Sequence, residues 1–174
     1  MKKLLIVVDY QVDFVSGALG FEGAELIGPV IKEKIEEYLK ENNDVIFTLD
    51  THYENYMNTM EGSKLPVPHC IKDSDGWKVV KEVDYLDKAV KVFEKPTFPS
   101  LELASYLKDK DYSEVELCGL VSNICVLTNA VMVKASLPDA RIIIDAKATD
   151  SFDKPLQEKC FDVLEGIHIE VINR

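Results

Sequence analysis

The chain has 174 residues, 47% hydrophobic and 29% charged, and suits one soluble domain, 1–174, with a sizeable core. Its formal net charge of −11, from 31 Asp and Glu against 20 Lys and Arg, repels phosphate backbones and anionic lipid, so neither nucleic acid nor a membrane is an expected partner. Four cysteines are too few for a disulfide framework at this length; Cys70, Cys118, Cys125 and Cys160 are expected to be free, metal-binding or catalytic in a reducing compartment.

Met1-Lys2-Lys3 opens like a secretory leader, but the apolar run that follows ends at Val8 and no cleavage site follows it, so the expected location is cytoplasmic. Leu4–Val8 is continuous, apolar and rich in β-branched residues, the pattern of a strand buried on both faces, and it ends in Asp9. Residues 24–41 carry helical spacing through Ile27, Ile31, Ile35 and Leu39, with Pro29 suited to the first turn. Val45–Leu49 is a second buried strand, ending at Asp50, and residues 51–75 read as a long loop, a feature that usually carries function. Val90–Phe93 is a short strand leading to Glu94 and Lys95. A helix over 100–108 is capped by Ser100, with Leu103 and Leu107 facing inward. Val115–Gly119 is a strand followed by a turn, and a helix over 123–135 places Ile124, Leu127, Ala130 and Val131 on one face. Ile142–Asp145 is a strand, 155–164 a helix, and Ile167–Val171 a last strand containing His168, which is expected to be structural. Strands alternating with helices predict an α/β sandwich around a mostly parallel sheet, whose ligand site lies beyond the carboxyl ends of the strands.

Asp9, Asp50, Lys95 and Cys125 all fall at or soon after such strand ends. Cys125 follows the turn Gly119-Leu120-Val121-Ser122-Asn123 and is expected in the first turn of the next helix, where backbone N–H groups stabilise a thiolate or a developing oxyanion. A small buried cysteine packed on the sheet fits the same spacing, so both readings stand. Asp9 is either a turn cap or the base for that thiol, and Lys95 either a solvated lysine or the cation that favours the thiolate. Asp50-Thr51-His52 and His69 bring one carboxylate and two of the chain's three histidines to the ends of one loop, a donor set for zinc or iron, although two surface histidines would look the same. Glu61 is a possible further ligand. Phe14 and Phe98 could form a slot for a flat ring, and Trp77 either anchors the loop or lines the site; each fits plain core as well.

Together these segments resemble the isochorismatase-like cysteine hydrolases, and in particular their nicotinamidase and pyrazinamidase branch. Val7-Val8-Asp9-Tyr10-Gln11-Val12-Asp13-Phe14 is similar to the family's first strand and catalytic Asp, and Phe93-Glu94-Lys95-Pro96-Thr97-Phe98 to the segment of its catalytic Lys. Gly119 to Val126 resembles its nucleophile turn, and Asp50-Thr51-His52 with Pro68-His69-Cys70 its metal site. The resemblance covers nearly the whole chain, with the motifs in the family's order. It implies a Rossmann-like three-layer α/β/α sandwich and a triad of Asp9, Lys95 and Cys125. It also implies a cis Leu120–Val121 peptide aiming the N–H groups of Val121 and Cys125 at the oxyanion. The activity it implies is hydrolysis of a small amide through a Cys thioester, most simply nicotinamide to nicotinate and ammonia, a step of NAD metabolism. A divalent metal, zinc first and iron or manganese next, would sit on Asp50, His52 and His69. The chain departs from the family in having Ser122-Asn123 where Thr-Asp is common, and in lacking a histidine between the two named, a place Glu61 could take. A metal-free amidase for a ureido compound or another amide is the alternative enzyme, and a non-catalytic binding protein the alternative of another class. A homo-oligomer is expected.

Overall fold

The computed structural model describes residues 2–174. Six strands form one parallel sheet: β1 (Lys2–Val8), β2 (Asp44–Asp50), β3 (Lys91–Lys95), β4 (Tyr112–Leu120), β5 (Arg141–Asp150) and β6 (Glu170–Ile172). Their spatial order is β3-β2-β1-β4-β5-β6 and every neighbouring pair is parallel. The chain starts in the middle, builds outward to one edge, then returns across β1 to build the other half. The strand order therefore reverses between β1 and β4, and a crevice opens there at the carboxyl ends.

The continuous apolar runs are explained by burial on both faces. Leu4, Ile6 and Val8 point to a core shared with α4 (Leu101–Leu107), α5 (Leu127–Ser136) and α6 (Lys154–Gly166), through Leu103, Leu107, Ala130, Val133, Phe161 and Leu164. Leu5 and Val7 point the other way, to Ile31, Ile35 and Tyr38 of α2 (Gly28–Lys40). Helices on both faces make the expected three layers. The predicted helix over 24–41 is split: Ala24–Ile27 is a 3₁₀ turn and α2 begins at Gly28, with Pro29 in its first turn. The Ser100 side chain caps α4 by accepting from Leu103 N at 3.1 Å. All four cysteines are free and buried. No helix among the described residues is long and apolar enough to cross a membrane.

Three expectations are corrected. Residues 51–75 are not without order. They hold a 3₁₀ turn at Tyr56–Asn58 and a short helix, α3 (Met60–Lys64), capped by the Thr59 hydroxyl. A five-residue helix is too short to show a period. The last strand is Glu170–Ile172 rather than 167–171; His168 sits before it, exposed, with φ +64° in a turn. Val131 is 43% exposed, so the inner face of α5 is Asn129, Ala130 and Val133 instead of a face including Val131. The shift follows from how that helix starts.

A buried lysine site at the strand ends

β1 ends at Val8, and Asp9 turns the chain with φ +46°. Its N–H donates to the Thr48 carbonyl at 3.1 Å, and its Oδ1 accepts from the Thr48 hydroxyl at 2.7 Å. β3 ends at Lys95, which is paired in register with Asp50, the last residue of β2. These neighbours place three side chains around one ammonium. Lys95 Nζ lies 2.5 Å from Asp9 Oδ2, 3.3 Å from Asp50 Oδ1 and 3.6 Å from Cys125 Sγ, and it donates to the Thr97 carbonyl at 3.1 Å. The side chains of Asp9 and Lys95 are wholly buried. Two carboxylates and a thiol beside it keep Lys95 cationic, well above its ordinary value despite desolvation. Burial pushes Asp9 up, with Lys95 opposing it. The Cys125 thiol is pushed up chiefly by burial; Lys95 favours the thiolate, while Asp9 and Asp50 oppose it.

Cys125 reaches this cluster through an unusual turn. Gly119 has φ +108°, and a Cβ there would run into the Val8 carbonyl, so only glycine fits where β4 passes β1. The Leu120–Val121 peptide is cis, as the resemblance implies. Ser122–Val126 is then a turn of π-helix rather than the expected first turn of α-helix, with Val126 N donating to Val121 O at 3.2 Å. This widened turn delays α5 and rotates its inner face.

On the other side of Asp50 lies a cluster of metal-type donors. One ligand atom each from Asp50, His52, Glu61 and His69 falls within 4.8 Å of the others. Asp50 Oδ2 is 3.0 Å from His52 Nε2 and 3.3 Å from His69 Nε2; Glu61 Oε1 is 3.5 and 3.8 Å from the same two nitrogens. His69 Nδ1 lies 2.8 Å from the Val67 carbonyl, which only accepts, so that nitrogen carries a proton and Nε2 is left to face the carboxylates. Such a convergence of acceptors fits a divalent cation. Without one, burial lowers the His69 imidazole, but Asp50, the Val67 carbonyl and Glu61 outweigh it and hold it above its ordinary value. Asp50 belongs to both clusters. Burial would raise it, but Lys95 and the two imidazoles keep it well below the usual carboxylate range.

A cavity of about 380 Å³ opens over this floor, lined by Asp50, Glu61, His69, Val121 and Cys125. Phe14, Leu19, Phe21, Leu65, Phe98, Ile124 and Phe152 make the rest apolar. Phe14 and Phe98 thus line it, Phe14 lying edge-on to His69 at 5.6 Å between ring centroids. Trp77, expected either to line the site or to anchor the loop, is corrected on the first count: it is not part of the wall. Its Nε1 donates to the Thr51 hydroxyl at 2.9 Å and its carbonyl accepts from Gln11 at 2.8 Å, so it anchors the loop.

Sequence reasoning missed two polar brackets. Gln11 donates to Asp50 O at 2.9 Å and accepts from Asp50 N at 2.7 Å, fixing the end of β2. Asp13 Oδ2 accepts from Cys70 N at 2.7 Å and so fixes the residue after His69. Both lie in the first motif, two and four residues past Asp9, but nothing in the alternation there marks a polar side chain as a bracket.

The Isochorismatase domain matches residues 3–174, and the chain belongs to the isochorismatase family. Among its relatives, an uncharacterized isochorismatase family protein of Bacillus subtilis is 28% identical over 172 residues, covering 88% of this chain and 89% of that one. The nicotinamidase/pyrazinamidase of Mycobacterium tuberculosis is 26% identical over 169 residues, covering 87% and 89%. Among solved structures, the nicotinamidase/pyrazinamidase of B. subtilis superposes with a TM-score of 0.87 at 27% identity, covering 98% of this chain and 99% of that one. A pyrazinamidase of Pyrococcus horikoshii in complex with zinc shares the fold with a TM-score of 0.87 at 24% identity over the full length of both chains.

Proposed function

We propose that the chain hydrolyses a small aromatic carboxamide, most simply nicotinamide to nicotinate and ammonia, with Cys125 as nucleophile. The observation that carries this reading is Lys95 Nζ held at once by Asp9, Asp50 and Cys125 in a dry floor under an apolar slot. Asp9, made more basic by burial, takes the thiol proton as Cys125 Sγ attacks the amide carbonyl, and returns it to the departing ammonia. Lys95 stays charged and stabilises the thiolate. The N–H groups of Val121 and Cys125 receive the oxyanion. Water then attacks the thioester, with Asp9 again taking the proton; the C–S bond breaks, nicotinate leaves, and the proton returns to the Cys125 thiolate. Phe14 and Phe98 flank the ring.

Asp50, His52, Glu61 and His69 would hold a divalent metal, with zinc, the ion in the P. horikoshii pyrazinamidase complex, the first candidate. When bound, the ion supplies a Lewis-acidic position for a ring nitrogen. The test is ammonia release from a panel of small carboxamides that includes nicotinamide, with Cys125→Ala as control. Nicotinamide should be the best substrate and Cys125→Ala inert; a metal-loaded protein that releases no ammonia from any amide overturns the reading.

A further inference from the structure

Asn129 is absent from the triad, the donor cluster and the cavity wall, yet its amide makes three hydrogen bonds beside Cys125. It is wholly buried on α5, one turn beyond the thiol. Its Nδ2 donates to the Cys125 carbonyl at 2.8 Å and to the Phe98 carbonyl at 3.0 Å. Its Oδ1 accepts from Ser100 N at 3.0 Å. Both donor hydrogens and one acceptor are therefore engaged, and the three partners are all main chain. Two of them belong to the segment that leaves Lys95. In that segment the Thr97 carbonyl accepts from Lys95 Nζ at 3.1 Å, and Phe98 contributes the cavity wall.

We propose that Asn129 is a positioning residue that locks the Lys95–Ser100 segment to the nucleophile turn, so that ammonium, thiol and ring wall keep one spacing. The proposal rests on the reading of this site as an amidase. A purely structural amide would stabilise the fold wherever its partners went. This one joins the two segments whose separation sets the 3.6 Å contact of Lys95 Nζ with Cys125 Sγ. Displacements well under the size of an atom lower a rate through lost alignment, so the effect belongs in kcat.

The experiment compares Asn129→Leu, which keeps the volume and loses all three bonds, with Tyr112→Phe. Tyr112→Phe removes a bond to Asp44 at the opposite end of the sheet and serves as a stability control. Metal content, Tm, nicotinamide kinetics and the rate of Cys125 alkylation by iodoacetamide are measured on each. Asn129→Leu should lower kcat at least tenfold per folded, metal-loaded molecule and slow Cys125 alkylation at least threefold, while Tyr112→Phe keeps both within twofold. Should Asn129→Leu not fold, Asn129→Ser replaces it: a hydroxyl there can still bond one turn back to the Cys125 carbonyl but cannot span to Phe98, and the same losses are expected. Wild-type kcat and alkylation in a folded variant overturn the proposal. If wild-type protein cleaves no amide, the amidase reading fails, and the alkylation rates alone decide whether Asn129 positions the thiol.

Discussion

Lys95 is held by three side chains and the Thr97 carbonyl, and that sharing sets what its loss should do. If Asp9, Lys95 and Cys125 act as one unit, Asp9→Asn and Lys95→Met should each lower kcat by at least ~10³-fold, and the double variant should lose little more. Multiplying losses, measured as kcat on nicotinamide, would show independent roles. Gly119 makes a second prediction. Its φ of +108° and the clash of an added methyl with the Val8 carbonyl leave no room for alanine. Gly119→Ala should cost more than about 3 kcal/mol, read as a lower midpoint in a urea titration, because β1 and β4 must part. Residue types at strand ends were readable in advance: Asp9, Asp50, Lys95 and Cys125 each follow an apolar run. Asn129 was not, because a polar residue in a helical pattern looks solvated until the π turn rotates it inward.

Among the elements, α2 is tied to the sheet by a partly buried cation as well as by Ile31 and Ile35. Lys34 Nζ lies 2.8 Å from Glu116 Oε1 on β4 and 2.6 Å from Asp145 Oδ2 on β5, and the Tyr38 hydroxyl donates to Glu116 Oε2 at 2.9 Å. Burial would raise Asp145, but Lys34, Asn173 and the Lys147 N–H hold it below its ordinary value. Its contribution is therefore full above the unfolded carboxylate value of about 4 and is lost as pH falls through the lower folded value. Lys34→Met strands two buried carboxylates and should cost about 3–5 kcal/mol at pH 7. The penalty should shrink at pH 4.5, where an Asp145 carboxylate left buried without its cation takes up a proton instead; a penalty equal at both pH values in thermal melts would refute this account. Lys34 stands among Lys32, Glu33, Glu36 and Glu37, whose charges read as a solvated helix face in the sequence. Only the approach of β4 and β5 draws Lys34 in from that face.

Across the molecule, the donor cluster joins segments that are far apart in the chain: the end of β2, the short helix α3, and the loop to Cys70. An ion bound there stabilises the folded state by mass action, about 2.7 kcal/mol at one hundred times its Kd. Chelation should lower Tm and raise KM for nicotinamide sharply, while Cys125 remains reactive to a thiol reagent. An unchanged KM in protein shown to be metal-free by elemental analysis would argue against a role for the ion in holding the ring.

Sequence periodicity and strand-end chemistry determined much of this protein: the alternation of strands and helices, the parallel sheet, and which residues stand at its carboxyl edge. Local pattern suffices there, because a strand buried on both faces is mostly apolar, so its end shows as a change to polar residues. The tertiary structure alone decided what those ends meet. It placed Asp50 between Lys95 and two imidazoles, made Glu61 a neighbour of His69, turned Trp77 away from the cavity, and enlisted Gln11, Asp13 and Asn129 as brackets. Those relations depend on strand order and on one widened helical turn, and contacts between residues far apart in the chain leave no period in its sequence.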